Sequence, residues 1–346
     1  MSNETPFTQT LQQFAAYYDK RWQGATVQTY AEKGFTRWVV SSKSLLREKI
    51  GNCPQILHHN RITDNVIVLV HGLTDSPYYM QAIAEDFAKK EFTVVLPLLP
   101  AHGLRRPGRA FHSLKHTEWI ETVNATCKLA SSLGKKLSIG GLSTGGALSV
   151  YKTITDPEQI TGGLFLFAAA LDIGTVEQLV LQTEAGRMIA RLRDQQLWLA
   201  KTVKDRLEMV LDDQKAGERD EFFGTGKNDY KYSVFFYEGA SQLAEVLQEI
   251  NTHYEKRSLK FSDINQPVFA AHARDDDSAL FRGVQRLVDN HPNGAVELFA
   301  VEGIKHESIV LKRAIVDRTH YVKYACANPF YREMSQKMLA FAERYL

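Results

Sequence analysis

Cysteine is scarce in this sequence, with three residues in 346, at Cys53, Cys127 and Cys326. An odd, widely spaced set offers neither a disulfide scaffold nor a Cys-x-x-Cys metal site, and fits thiols kept reduced. Cys127 falls in a helical pattern and is expected in the core. Charge of one sign is also lacking. Lys and Arg number 42 against 40 Asp and Glu, a formal net charge of +2. Such a balance gives no electrostatic reason to expect nucleic acid as a partner. The most apolar stretches, Val66–Val70 and Gly163–Leu171, fall short of the ~20 residues that cross a bilayer. Met1 to Pro6 has no basic n-region and no apolar h-region. We therefore expect no secretory signal, no membrane span and a cytoplasmic location. Internal repeats and low-complexity tracts are missing, and no His-Glu-x-x-His or similarly tight ligand spacing appears. No metal and no cofactor is expected.

What remains is ordinary globular composition, 44% hydrophobic and 24% charged. Residues 1–60 read as an N-terminal extension: a helix from Phe7 to Trp22, a short link, a strand over Phe35–Ser41, then a short helix near Leu45–Ile50 and an edge strand near Ile56. From Asp64 the pattern becomes regular. Val66-Ile-Val-Leu-Val70 is a continuous β-branched run, as in a strand buried on both faces of a parallel sheet. Ser76-Pro77 predicts a helix start, with Ser as N-cap and Pro in the first turn. Strands follow at Thr93–Leu96, Lys136–Gly140 and Leu164–Ala169, separated by a Gly-, Pro-, His- and Arg-rich loop at His102–Ser113 and by helices at Thr117–Leu133 and Gly145–Thr153. The rhythm returns with a strand at Val268–Ala271, a helix at Ala279–Val288, a strand at Ala295–Ala300 and helical stretches at Glu307–Ala325 and Phe330–Tyr345. This alternation predicts a doubly wound, mostly parallel α/β sheet. The core is expected over 61–171 and 262–346. Between them, 172–261 reads as an inserted helical cap, with Leu, Met and Val at helical spacing and an aromatic stretch at Arg219–Tyr237.

One pentapeptide carries chemistry. Gly141-Leu-Ser143-Thr-Gly145 is a Gly-x-Ser-x-Gly sequence between a predicted strand and a predicted helix, the setting of a nucleophile elbow. Small residues at 141 and 145 let strand and helix approach, and the helix N-terminus supplies free N–H groups to a developing oxyanion. The bland alternative is a Gly-rich turn that only joins two elements. A serine hydroxyl needs an imidazole to take its proton and an acid to orient that imidazole. In this fold class the order is Ser, then acid, then His. Among eleven histidines, His306 directly follows the last predicted core strand with room to swing over the sheet, whereas His320 lies deep in a terminal helical stretch. The preceding strand end offers Asp275, Asp276 and Asp277, any of which could instead be solvated or cap the next helix.

These residues resemble the α/β-hydrolase superfamily, most closely its bacterial carboxylesterases and the acylglycerol lipase/lysophospholipase group. Val68-Leu-Val-His71-Gly72-Leu-Thr-Asp-Ser-Pro77 is similar to that group's strand and His-Gly oxyanion loop. The resemblance implies Leu73 and Thr144 as the two backbone donors of an oxyanion hole. Leu96-Pro-Leu-Leu-Pro-Ala-His-Gly103 resembles a Pro-x-x-x-Gly-His-Gly stretch in which Ala101 replaces Gly, and Trp119 matches a Trp that opens the next helix. Aligning Pro267 onward with a family pattern ending Gly-x-x-Asp implies Asp276 as the acid, with Ala273 in place of Gly.

On this resemblance the chain is expected to be a serine hydrolase. His306 deprotonates Ser143, an acyl-enzyme forms on a carboxylic ester, and water releases it. The implied partner is a small, lipid-like acyl ester. A carbon–carbon bond hydrolase or thioesterase could use the same three residues, and a non-catalytic binding protein could keep the fold. Arg105, Arg106 and Arg109 form a basic group that could steer an anionic substrate or simply face water.

Overall fold

The computed structural model describes residues 5–173, 228–232, 237–257, 263–317 and 322–346. Cap residues expected over 174–227, with Lys201, Lys204, Asp205 and Arg206 among them, lie outside the described residues. The elements in chain order are α1 (Pro6–Trp22), β1 (Thr26–Glu32), β2 (Phe35–Ser41), β3 (Gln55–His58), β4 (Thr63–Val70), α2 (Tyr78–Ala88), β5 (Thr93–Leu96), α3 (Gly108–His112) and α4 (His116–Ala130). Next come β6 (Gly134–Leu142), α5 (Thr144–Thr155), β7 (Leu164–Phe167), α6 (Tyr237–Arg257), β8 (Val268–Ala273), α7 (Phe281–Asp289) and β9 (Val296–Val301). The strands β10 (Ile315–Asp317) and β11 (Val322–Ala325) and the helix α8 (Tyr331–Tyr345) complete the chain.

Nine strands form one sheet in the order β1-β2-β3-β5-β4-β6-β7-β8-β9. From β5 to β9 every neighbouring pair is parallel, whereas β1, β2 and β3 join antiparallel. Val66–Val70 has no exposed surface. Burial of such side chains contributes about 1.5–3 kcal/mol each, which fixes β4 at the centre. Two apolar layers cover the sheet. One gathers Trp119, Val123 and Cys127 of α4 with Ala147 and Val150 of α5, and the other Phe87, Phe165, Phe269 and Phe341. The buried charge of Arg37 is met by Glu32, Gln55 and Glu85 at 3.2, 2.7 and 2.8 Å. A buried guanidinium is tolerable only with such partners.

Several expectations are corrected. The link after α1 contains β1, all seven of whose residues are exposed; an edge strand with no buried face leaves no apolar alternation to read. The strand near Ile56 is not an edge: β3 lies between β2 and β5. In place of the short helix expected near Leu45–Ile50 there is a turn, followed by a 3-10 helix at Ile50–Asn52. Pro77, not Ser76, caps α2, and the Ser76 hydroxyl is buried without a partner. The loop at His102–Ser113 contains α3. The helix expected over Glu307–Ala325 is instead a 3-10 turn at His306–Val310 followed by the antiparallel pair β10–β11, where β-branched Ile315, Val316 and Val322 favour pairing over a helix. Within the expected cap, α6 packs on α3, α4 and α5 of the core. Cys53 and Cys127 are buried thiols and Cys326 is exposed.

Ala101 has φ 69° and Gly103 φ 66°. The left-handed conformation costs a residue with a Cβ about 1 kcal/mol, which explains a glycine at the first position in the resembling stretch. We expect Ala101→Gly to raise stability by up to about 1 kcal/mol, less the extra freedom gained by the unfolded chain. A lowered urea midpoint would show that the Ala101 methyl contributes more through packing than its backbone costs.

Candidate active site

β6 ends at Leu142, α5 begins at Thr144, and Ser143 joins them at φ 54°, ψ −116°. Serine rarely adopts this conformation. It is held on several sides: the Ser143 N–H donates to Phe167 O at 3.0 Å, and Ser143 O accepts from Ala147 and Ala170 N–H at 3.1 and 3.0 Å. A Cβ on Gly145 would lie 2.1 Å from Val70 O, and one on Gly141 2.5 Å from the same oxygen. No side chain fits at either position, so the glycines let β4 crowd against the turn. Thr144, Gly141 and Gly145 are buried while Ser143 keeps some exposure. The fold therefore presents the hydroxyl at the carboxyl end of the sheet, where open α/β sheets carry their sites.

The loop after β4 lies directly against this turn. A Cβ on Gly72 would be 3.2 Å from Ser143 Cβ. His71 and His102, with ring centroids 4.9 Å apart, shape this loop. His71 Nδ1–H donates to Gly72 O at 2.9 Å, and its Nε2 accepts from Leu99 N–H at 3.1 Å. His102 Nδ1–H donates to Pro100 O at 2.9 Å, and its Nε2 accepts from Thr74 N–H at 3.2 Å. Each ring needs one bare nitrogen, so both are neutral. Burial pushes His71 well below its ordinary value and His102 down to about 4. Among the described residues, no backbone carbonyl takes the N–H of Leu73 or Thr144.

Burial also pushes His58 down to about 4. The sign of the linkage follows. An unfolded histidine takes up a proton near pH 6.5, while these stay neutral when folded until about pH 4. Their stabilisation is complete above pH 6.5 and is lost as pH falls toward 4, on the order of 3 kcal/mol for fully buried His102. Urea midpoints should fall between pH 6.5 and 4.5 and fall less in His102→Gln. A flat profile in that window contradicts this reading of the buried imidazoles.

Of the three consecutive aspartates, Asp276 is buried and its two neighbours are exposed. Asp276 Oδ1 accepts from Ser278 and Ala279 N–H, both at 2.9 Å, and Oδ2 lies 2.7 Å from His306 Nδ1. Asp275 instead accepts from Gly303 N–H at 3.0 and 3.1 Å, tying the two loops together. Asp277 contacts only the Ser278 hydroxyl among the described residues. None of them caps α7, whose N-cap is Leu280. Burial would raise Asp276, but the charge and hydrogen bond of His306 outweigh it and the carboxyl stays below its ordinary range. Burial likewise opposes the charged form of His306, and Asp276 reverses this, so the imidazole titrates above its ordinary value. Beneath the pair, His272 Nε2–H donates to Ala279 O at 2.8 Å and sits 3.5 Å from Asp276 Oδ2.

Sequence reading missed a second set of charges. Lys231 Nζ lies 3.0 Å from Asp75 Oδ1, with Glu307 in electrostatic reach. Asp75 stands in plain sight after His71-Gly72, but a single acid in a loop says nothing of its burial, and Lys231 lay within an aromatic stretch read as cap. Arg105 gives its Nε–H to Leu46 O at 2.8 Å and lies 3.8 Å from Glu48, so it is bound to the fold. Trp119 is buried, with Nε1–H on Pro100 O at 3.3 Å. Among the described residues no group of three or more His, Cys, Asp or Glu side chains is arranged to hold a metal ion, and no helix is long and apolar enough to cross a membrane.

Comparison with known proteins places the chain in a family. The family model of serine aminopeptidase, S33, matches residues 62–310, a span containing Ser143, Asp276 and His306. A thermostable monoacylglycerol lipase of Bacillus sp. (strain H-257) is 30% identical over 113 residues, 32% of this chain and 42% of that protein. The match thus spans about two-fifths of that relative's length. Among solved structures, one from a study of the metagenome-derived lipolytic enzymes LipS and LipT superposes with a TM-score of 0.59 at 16% identity, covering 85% of this chain and 98% of that one. A soluble variant of Saccharomyces cerevisiae monoglyceride lipase gives 0.56 at 13% identity, covering 93% and 96%. At such identities these two establish the fold. The family match, which covers most of the chain, identifies it as a member of the serine aminopeptidase S33 family, on an α/β-hydrolase fold.

Proposed function

We propose that the chain is a serine esterase acting on lipid-like carboxylic esters of the monoacylglycerol or lysophospholipid kind. The observation that carries this reading is the Asp276–His306 pair, at 2.7 Å, on the same sheet edge as the strained turn of Ser143. His306 Nε2 takes the Ser143 proton as its oxygen attacks the ester carbonyl. Asp276 keeps the Nδ1 proton in place and stabilises the imidazolium. The N–H groups of Leu73 and Thr144 receive the oxyanion, each worth about 3 kcal/mol in the transition state. His306 then protonates the leaving alcohol and activates the water that cleaves the acyl-enzyme. The lipid-like substrate is supported by the Bacillus monoacylglycerol lipase match. We also propose that the insertion between β7 and β8, ahead of α6, forms the cap over this site; Gly239 of α6 packs against Leu73.

The test is fluorophosphonate labelling together with hydrolysis of p-nitrophenyl esters of rising chain length. Labelling and ester turnover are expected, with a preference for one range of chain length. Labelled protein that leaves every ester intact but cleaves acyl thioesters or diketones would move the activity to those substrates. Folded protein that neither labels nor turns over any of them would point to a binding role.

A further inference from the structure

We infer that Lys231 is a positioning residue for acyl transfer: its ammonium neutralises Asp75, a buried carboxylate beside the place where negative charge develops. The inference rests on the esterase reading and deepens it.

Asp75 is 3% exposed. Its Oδ2 lies against the same face of Gly72 as Ser143 Cβ, since a Cβ on Gly72 would be 2.6 Å from the former and 3.2 Å from the latter. A carboxylate therefore flanks the nucleophile and the loop that carries the oxyanion donor Leu73. Left alone it opposes the very charge the site must stabilise. Lys231 Nζ sits 3.0 Å from Asp75 Oδ1, as a charge contact rather than an aligned hydrogen bond. The groups facing Asp75 are Lys231 itself, Tyr79 of α2, and Glu307 and His306 of the loop after β9. Lys231 is the sole permanent cation among these.

The backbone that bears Lys231 is built into the core. Tyr232 N–H donates to Thr74 O at 2.9 Å, next to Asp75. Tyr230 stacks on Tyr78 with ring centroids 3.6 Å apart. Asn52 donates to Asp229 O at 2.8 Å, and Arg47 to Asn228 O and Lys231 O at 3.2 and 3.1 Å. Lys231 Nζ also lies 5.6 Å from the Tyr79 ring centroid. This many anchors hold one ammonium over one carboxylate. Burial raises the carboxyl's pKa and Lys231 opposes this, so removing the cation moves the carboxyl further up.

The experiment compares Lys231→Met, Lys231→Arg and the double variant Lys231→Met/Asp75→Asn with the wild type. It reads kcat and KM on a p-nitrophenyl ester from pH 6 to 9, with fluorophosphonate labelling and thermal unfolding alongside. Lys231→Met should lose about 10²-fold in kcat with little change in KM, the scale of one oxyanion contact. That loss should deepen as pH rises and Asp75 ionises. Lys231→Arg should retain most activity. The double variant should regain at least tenfold over Lys231→Met, with a pH profile like the wild type's. If Lys231→Met does not fold, the double variant decides, since it buries no unpaired charge. A folded double variant as impaired as Lys231→Met, or a Lys231→Met equal to the wild type, overturns the inference alone. Wild-type protein that neither labels nor turns over ester overturns the esterase reading and takes this inference with it.

Discussion

Ser143→Ala should lower kcat/KM on p-nitrophenyl esters by about 10⁵-fold or more, the scale on which triad enzymes respond to loss of the nucleophile. In the proposed mechanism the alcohol oxygen is the atom that bonds to the acyl carbon. Removing it leaves His306 and the proposed oxyanion donors in place, so a residual acceleration of about 10³–10⁴ over water is expected. Folding should survive, because the backbone of residue 143 is held through Phe167 O and the N–H groups of Ala147 and Ala170, none of which needs the side chain. Labelling by fluorophosphonate should vanish while the thermal midpoint stays within a few degrees. Labelling that persists in folded Ser143→Ala would assign the nucleophile elsewhere.

Asp276→Asn should cost on the order of 10⁴ in kcat. The carboxylate accepts the His306 Nδ1 proton at 2.7 Å and two backbone N–H groups at 2.9 Å. An amide keeps the shape but not the acceptor set. If its NH₂ faces His306, Nδ1 must accept, and the ring proton moves to Nε2, the nitrogen that should take the proton of Ser143. The paired charges also matter to pH. His306 is raised above its ordinary value, so its contribution to stability is complete below pH 6.5 and is lost as pH climbs through the folded value; Asp276 is lowered, so its contribution is lost as pH falls below 3.8 through the folded value. Asp277→Asn, on an exposed side chain, should stay within about threefold of the wild type. Equal losses at 276 and 277 would mean that the loop, rather than one carboxylate, supports the reaction.

Much of this arrangement was legible in the sequence because it is local. The β-branched run at 66–70 announces a buried central strand, and a Gly-x-Ser-x-Gly between strand and helix announces the turn at Ser143. His306 follows from chain order. The acid loop was legible only as three candidates: Asp275, Asp276 and Asp277 differ in which way the turn faces them, and no periodicity encodes that. Asp75 and Lys231 were invisible for a stronger reason. Their meaning lies in a contact between two segments far apart in sequence, neither of which reveals that contact when read alone. β1 escaped because an edge strand exposed throughout carries no apolar signal, and β10–β11 because a short apolar stretch fits helix and strand equally until a partner is found.

Biosynthesis adds a consequence of where His306 sits. The ribosome delivers the parts of the proposed site in the order Gly72–Leu73, Ser143, Asp276 and His306, the last on the loop after the final strand of the main sheet. The turn that begins at His306 is held by Asn328, just ahead of α8, whose side-chain amide donates to Ile309 O and whose backbone N–H donates to Leu311 O, both at 2.8 Å. A serine without its imidazole is an ordinary alcohol. A chain cut short before His306 would carry its proposed nucleophile in a chemically quiet state.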